Sequence, residues 1–457
     1  MESKEYIEQY ISRARAAQKA FESWDQEGVD KLVRAVARVV YDNAEPLARM
    51  AVEETGMGVY EDKVAKNRGK ASIIWNSLKG KKSVGIIERN SAAGTVKIAK
   101  PVGVVAAITP TTNPSVTPMC NAMFALKGRN AIIITPHSRA IHTSTRTVEL
   151  INQELARLGA PEHLIQVLAE HSRENTRNLI AAADVVVATG GMGMVKAAYS
   201  SGKPAYGVGA GNVQCIIDRG VDYAQAVPKI IAGRSFDNGI ICSGEQSVIL
   251  PREDQQKILD LFNAHGGYVV AREKAGEMMK VIFPDEVMNK DLVGQSAAKV
   301  AALAELKVPE GTRVLLIPAE RGELLGKEKM CPVLAVYPYD TWEEAVAIAG
   351  ENLEMEGKGH SVAIHSDDLG RIEQASLALP ASRFVINQPS STSAGGSFFN
   401  SFAPTTTLGC GTWGNNSISE NLNYHHLLNV STVGFYNAEA VVPSQEELWG
   451  PGEPNPA

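Results

Sequence analysis

Five cysteines lie far apart in the chain, at positions 120, 215, 242, 331 and 410, and one stands where a thiol can act as a nucleophile. The segment FDNGIICSGEQSVI sets Cys242 after a short apolar stretch and before Gly244, Glu245 and a strand-like run. A thiol in such a small-residue turn is open to attack a carbonyl carbon once neighbouring dipoles favour its thiolate. The plain alternative is a core cysteine, and Cys120, Cys215, Cys331 and Cys410 are assigned to packing. No pair is spaced CxxC and no finger-like spacing occurs, so reduced thiols and no metal centre are expected.

The elements that must position this thiol are read from periodicity. Tyr6, Ile7, Ile11, Ala14 and Ala17, then Val29, Leu32, Val33, Val36 and Val40, recur at three- and four-residue steps, predicting two or three amphipathic helices in the first sixty residues. Extended segments follow at 83–87 and 94–98, with Asn90 and Gly94 as turn residues, and read as a hairpin leading into a buried strand. From 104 to 200 strand-like and helix-like runs alternate, which implies a parallel sheet covered on both faces. Such sheets bind ligands beyond the carboxyl ends of their strands. Two turns fall there: 109–114, with Thr109, Pro110, Thr111 and Asn113, and 189–193, with Thr189, Gly190 and Gly191.

A second α/β region is expected from about Val227, and the Gly/Ser/Thr-rich stretch 389–419 is too long for a simple connection. It reads as an ordered loop near a site. The tail 449–457, WGPGEPNPA, reads as flexible.

The 457 residues contain 45 Lys plus Arg against 51 Asp plus Glu, a net charge of −6, with no long basic tract, which argues against nucleic acid as the main partner. The opening MESKEYIEQY is not a signal peptide, and no apolar run approaches a bilayer span, so a cytoplasmic protein without a membrane partner is expected.

Several separated segments together carry a resemblance: ITPTTNPSVTP, RNAIIITPHSRA, ATGGMGMVKAAYSSGKPAYGVGAGN, FDNGIICSGEQSVI, KEKMCPVLAVY, TLGCGTWGNNSISENL and HHLLNVSTV. In this order the sequence resembles the CoA-acylating branch of the aldehyde dehydrogenase superfamily. It is similar to the propionaldehyde dehydrogenases of bacterial microcompartments and to the aldehyde dehydrogenase half of bifunctional aldehyde/alcohol dehydrogenases. The resemblance implies an α/β fold of aldehyde dehydrogenase type: a Rossmann-type cofactor domain over 1–226, carrying an oligomerisation hairpin at 83–98, and an α/β catalytic domain over 227–420. It further implies a return and oligomerisation segment at 421–448.

By the same resemblance, Asn113 is the side-chain donor to the oxyanion formed when Cys242 attacks an aldehyde, assisted by the Cys242 backbone N–H. A turn residue preceding Pro114 is the bland reading of Asn113. The implied cofactor is NAD, with NADP possible, held by the turns at Thr109, Pro110 and Thr111 and at Thr189, Gly190 and Gly191. The resemblance also implies that Pro136 and His137 lie toward the adenosine, with a solvated histidine as the alternative, and that Glu328 lies on the nicotinamide ribose, with an exposed loop glutamate as the alternative. The GxGxxG fingerprint is not met, because Lys196 stands where its third glycine would be. Hydrolytic relatives carry a glutamate that activates water; the aligned position in YGVGAGN is Val208, followed by Gly209. Without that base, coenzyme A rather than water should take the acyl group. His360 in GKGHSV resembles a histidine near the active site that could assist proton transfer, with a structural histidine as the alternative. Glu245 is read as bonding nearby backbone, and Trp413 as part of a loop over the site.

The activity expected is oxidation of a short-chain aldehyde, propanal or acetaldehyde, with NAD and CoA to acyl-CoA, through a cysteine thioester. A hydrolytic NAD(P)-dependent aldehyde dehydrogenase and a non-catalytic microcompartment assembly protein are the alternatives. A homo-oligomer, dimer or tetramer, is expected, with microcompartment shell or core proteins as possible partners. WGPGEPNPA reads as a linker whose packaging peptide is missing.

Overall fold

The computed structural model describes residues 3–451; the last six residues of the tail expected to be flexible lie outside this range. Four helices open the chain: α1 (Ser3–Phe21), α2 (Gln26–Asp42), α3 (Ala44–Thr55) and α4 (Tyr60–Leu78). In α2 the Asp25 side chain caps the first turn by accepting from the Gly28 N–H at 2.8 Å, and Val29, Leu32, Val33, Val36 and Val40 form its buried stripe. A hairpin follows, β1 (Gly85–Asn90) and β2 (Thr95–Pro101), paired antiparallel.

Five strands then build the first parallel sheet: β3 (Val104–Thr109), β4 (Ala131–Pro136), β5 (Ile165–Val167), β6 (Val185–Thr189) and β7 (Ala205–Val208), in spatial order β5-β4-β3-β6-β7. The helices between them are α5 (Val116–Lys127), α6 (Ile141–Arg157), α7 (Arg173–Ala182) and α8 (Met192–Tyr199). Every residue of β3, β4 and β6 is buried, as their unbroken Val, Ile and Ala runs require of strands covered on both faces. The strand order departs in opposite directions from β3, so a crevice opens between the ends of β3 and β6.

The second sheet has seven strands: β8 (Val213–Ile217), β9 (Glu245–Pro251), β10 (Gly267–Val269), β11 (Val314–Pro318), β12 (Val333–Tyr339), β13 (Val362–His365) and β14 (Phe384–Ile386), in order β10-β11-β12-β9-β8-β13-β14, all parallel. Its first strand begins at Val213, so the expected boundary between 226 and 227 falls inside the following helix, α9 (Tyr223–Ser235). A buried apolar strand reads the same in sequence whichever sheet it joins; only its pairing with β9 and β13 assigns β8.

The chain returns through β15 (Leu428–Gly434), which pairs with β2 and completes a three-stranded antiparallel sheet. Among the described residues no helix is long and apolar enough to cross a membrane.

Candidate active site

The crevice edge of the five-stranded sheet gathers the turns read as cofactor sites. Thr109, Pro136, Thr189 and Val208 are each the last residue of their strand, and the parallel register brings all four to one edge. The His137 N–H donates to the Thr109 carbonyl at 3.1 Å, tying two of the turns together. Pro110, Thr111 and Asn113 line the partly open turn after β3, while the His137 ring is exposed. Thr109 Oγ1 is buried and has no hydrogen-bond partner among the described residues.

Beyond β6, Gly191 caps α8, and a Cβ placed on Gly190, Gly191 or Gly193 would meet nothing within 4 Å. Open space over a helix N-terminus of bare backbone fits a dinucleotide phosphate.

Cys242 sits in the turn before β9 and is the partly exposed cysteine among five free thiols, the other four being buried. It meets the first sheet through Gly211, on the crossing from β7 to β8. A Cβ at Gly211 would stand 1.9 Å from the Cys242 carbonyl oxygen, so no larger residue fits there. The Gly211 N–H donates to Glu328 Oε1 at 3.3 Å, and the Glu328 N–H donates to Glu356 at 2.9 Å. One short segment thus ends the first sheet, presses on the Cys242 backbone and holds Glu328. At its start Val208 presents an isopropyl group, 4% exposed.

The electrostatics around the thiol are mixed. Burial pushes the Cys242 thiol up to about 12, Glu328 and Cys410 add to the rise, and Arg383 opposes it. Glu328 is itself pushed up to about 8, by burial and then by Glu356, with the Gly211 N–H working against both. Glu245 is buried and raised to about 7 by desolvation; its Oε1 accepts from the Ser390 N–H at 2.7 Å, as a backbone-bonding glutamate should.

His360 is fully buried. Its Nδ1 lies 3.1 Å from Ser361 Oγ, its Nε2 has no partner among the described residues, and burial with the charge of Arg383 keeps it neutral. Trp413 is 48% exposed, with its Cβ packed against Gly359.

Three contributors were missed in the sequence. Arg383 is a buried guanidinium that donates to the His360 and Gly409 carbonyls, both at 2.7 Å, and to Ser361 at 3.1 Å and Asn421 at 3.2 Å. Among the described residues it touches no carboxylate. Cys410, assigned to packing, is also within electrostatic reach of Cys242. Lys70, on α4, donates to the Gly395 carbonyl at 2.8 Å; burial lowers it to about 8, and its charge acts on Cys120 and Cys242. A signal for it existed, since Lys63, Lys66 and Lys70 recur at three and four residues on one face of a predicted helix.

Residues 1–273 match the model of the aldehyde dehydrogenase family. The chain belongs to that family. It is 56% identical to the succinate-semialdehyde dehydrogenase (acetylating) of Clostridium kluyveri, over 97% of this chain and 99% of that one. Among solved structures, the acetylating aldehyde dehydrogenase of Geobacillus thermoglucosidasius superposes with a TM-score of 0.93 at 37% identity, covering 96% of this dehydrogenase and 98% of its own chain. The propionaldehyde dehydrogenase of Rhodopseudomonas palustris, solved with bound CoA and an acylated cysteine, gives 0.83 at 28% identity, over 94% of this dehydrogenase and 97% of its own chain.

Proposed function

We propose that this dehydrogenase converts a short aldehyde with an anionic tail to its CoA thioester, using NAD or NADP, with Cys242 as the acyl carrier. The observation that carries the reading is the Gly211 crossing: it runs from the strand that ends in Val208 to the Cys242 backbone, and Val208, which aligns with the water-activating glutamate of hydrolytic relatives, is a buried alkyl side chain.

In this reading the Cys242 sulfur attacks the aldehyde carbon. The Cys242 N–H and Asn113 Nδ2 take the oxyanion of the thiohemiacetal. Asn113 spends one N–H on Thr112 Oγ1 at 3.2 Å, which fixes its amide and leaves a second N–H to donate. Bound NAD(P)+ supplies the hydride acceptor. The acyl group is then a thioester on Cys242, which the thiol of CoA attacks, Cys242 leaving as thiolate. Arg383 favours that thiolate through its charge, and it anchors the backbone of His360.

Thr109, Gly190 and Gly191 offer a hydroxyl and open backbone to the cofactor, and Glu328 stands for the nicotinamide ribose. The segment 137–140 carries His137 and Arg139 and no Asp or Glu of its own, and the Glu54 carboxylate nearby is engaged by the His142 and Thr143 N–H groups, so a ribose 2′-phosphate would be tolerated as well as a hydroxyl.

Lys70 supplies the substrate preference. Its ammonium is partly buried and within electrostatic reach of Cys242, and one of its three donors goes to a carbonyl. An aldehyde bearing a terminal carboxylate would answer that charge, in keeping with the succinate semialdehyde named for the Clostridium kluyveri relative. Self-association would use the sheet of β1, β2 and β15, where Ile86, Val430, Val433 and Phe435 are exposed.

The deciding assay is NADH formation from succinate semialdehyde with and without CoA. Without CoA, a burst of about one equivalent per site should stop at the thioester; with CoA, turnover should continue. Sustained turnover without CoA would instead favour the hydrolytic reading, with Glu328 as the base beside the thiol.

A further inference from the structure

The nucleophile and the oxyanion donor of this reading stand on different sheets. Asn113 follows β3 in the first and Cys242 precedes β9 in the second, with no strand pairing between the sheets. Chemistry that needs both atoms placed closely requires a tie across that gap, because a misplacement of about 1 Å costs roughly a hundredfold in rate.

Five residues before Cys242 the backbone takes an uncommon form: Asp237 and Asn238 are both left-handed, at φ 52° and 54°. Asp237 is fully buried. Its carboxylate accepts from Lys66 Nζ at 2.6 Å, from Lys63 Nζ at 3.0 Å and from the Val59 N–H at 2.9 Å, while its own N–H donates to Asp62 at 2.7 Å. Burial alone would raise Asp237; the charges of Lys66 and Lys63 outweigh it and hold the carboxyl below its ordinary value. A Cβ on Gly58 would fall 2.0 Å from Asp237 Oδ1, so the loop before α4 is shaped to this carboxylate.

Lys66 also reaches the other side. Its Nζ lies 3.5 Å from the Thr112 carbonyl, and Thr112 Oγ1 accepts from Asn113 Nδ2 at 3.2 Å. Contacts therefore run from the cysteine loop through Asp237, Lys66 and Thr112 to the Asn113 amide. We propose that Lys66 is a positioning residue that sets the Asn113 donor against Cys242 by clamping the Thr112 carbonyl to the Asp237 carboxylate. The assignment rests on Cys242 as nucleophile and Asn113 as donor. Lys63 still pairs with Asp237 when Lys66 is removed, so the buried carboxylate keeps a cationic partner.

The test compares two reactions of one thiol in the full-length enzyme: alkylation by iodoacetamide, which needs no oxyanion donor, and the single-turnover NADH burst, which does. Lys66→Met should slow the burst at least tenfold, leave alkylation and the KM for the nicotinamide cofactor within twofold, and be rescued in part by Lys66→Arg. In a double-mutant cycle, Lys66→Met should cost nothing further once Asn113→Ala is present. Thr112→Val, which removes only the hydroxyl, should slow the burst about threefold or more without changing alkylation, and it decides the matter should Lys66→Met fail to fold. A burst within twofold of the parent in Lys66→Met, or in Thr112→Val when that variant must decide, or losses that multiply in the double variant, would overturn the proposal. NADH production by Cys242→Ala would overturn the underlying reading instead.

Discussion

The two sides of the crevice are made of different materials. The edge of the five-stranded sheet offers hydroxyls, bare backbone and glycines, at Thr109, Thr189, Gly190 and Gly191, and carries no buried charge in those turns. The side that holds Cys242 is crowded with ionisable groups, Glu245 and Arg383 buried and Lys70 and Glu328 half-buried, each displaced from its ordinary pKa first of all by desolvation. A binding edge works by shape and fixed dipoles, which cost nothing to desolvate once bonded. A reactive edge works by charges held where water cannot screen them, and such charges change what the thiol can do.

Removing the sulfur breaks the contrast most severely. Cys242→Ala should reduce NADH formation by about four orders of magnitude, because the neighbouring thiol, Cys410, is buried where Cys242 is partly exposed. Cofactor binding, followed by nicotinamide fluorescence, should be unchanged within about twofold if the two edges are independent in kind.

A smaller effect is expected from Lys70→Met. Loss of a charged hydrogen bond to a substrate carboxylate is worth roughly 1.5–3 kcal/mol, so kcat/KM for succinate semialdehyde should fall about 10- to 100-fold. The value for propanal should hold or rise. Equal losses for both aldehydes would assign Lys70 to the scaffold.

The smallest effect sharpens the electrostatic side. The Glu328 carboxylate raises the Cys242 thiol, and Glu328 itself titrates near 8, so its charge is present above that pH and absent well below it. Glu328→Gln should therefore speed alkylation of Cys242 several-fold at pH 9 and leave it nearly unchanged at pH 6. A rate difference of the same size at both pH values would mean that the variant altered access rather than charge.

The contrast also explains what could be read in advance. The strand-end turns were legible because Gly, Thr, Asn and Pro mark a turn locally, and the alternation of apolar runs implied the parallel sheet whose edge they share. Cys242 was legible through its small-residue context. Arg383 was not, because nothing near it in sequence differs from an ordinary surface cation, and it becomes buried only through distant Gly409 and Asn421; for Lys70 the lysine spacing on one helical face was a signal, but its partner Gly395 lies 325 positions away. Cys410 was read as a core thiol, and it is buried, but its reach to Cys242 depends on how the loop around 405–421 folds back. For a related reason the expected boundary between 226 and 227 falls inside α9, since β8 has the composition of either sheet.

The sequence by itself determined the periodic elements, the strand-end turns and the small-residue setting of Cys242, because each depends on residue types within a few positions of one another. Only the tertiary structure decided which charges surround Cys242 and which contacts link its loop to the turn of Thr112 and Asn113. Burial and electrostatic coupling depend on distances through space, and contacts such as Lys66 to Asp237, 171 positions apart, leave no mark on the local pattern of either segment.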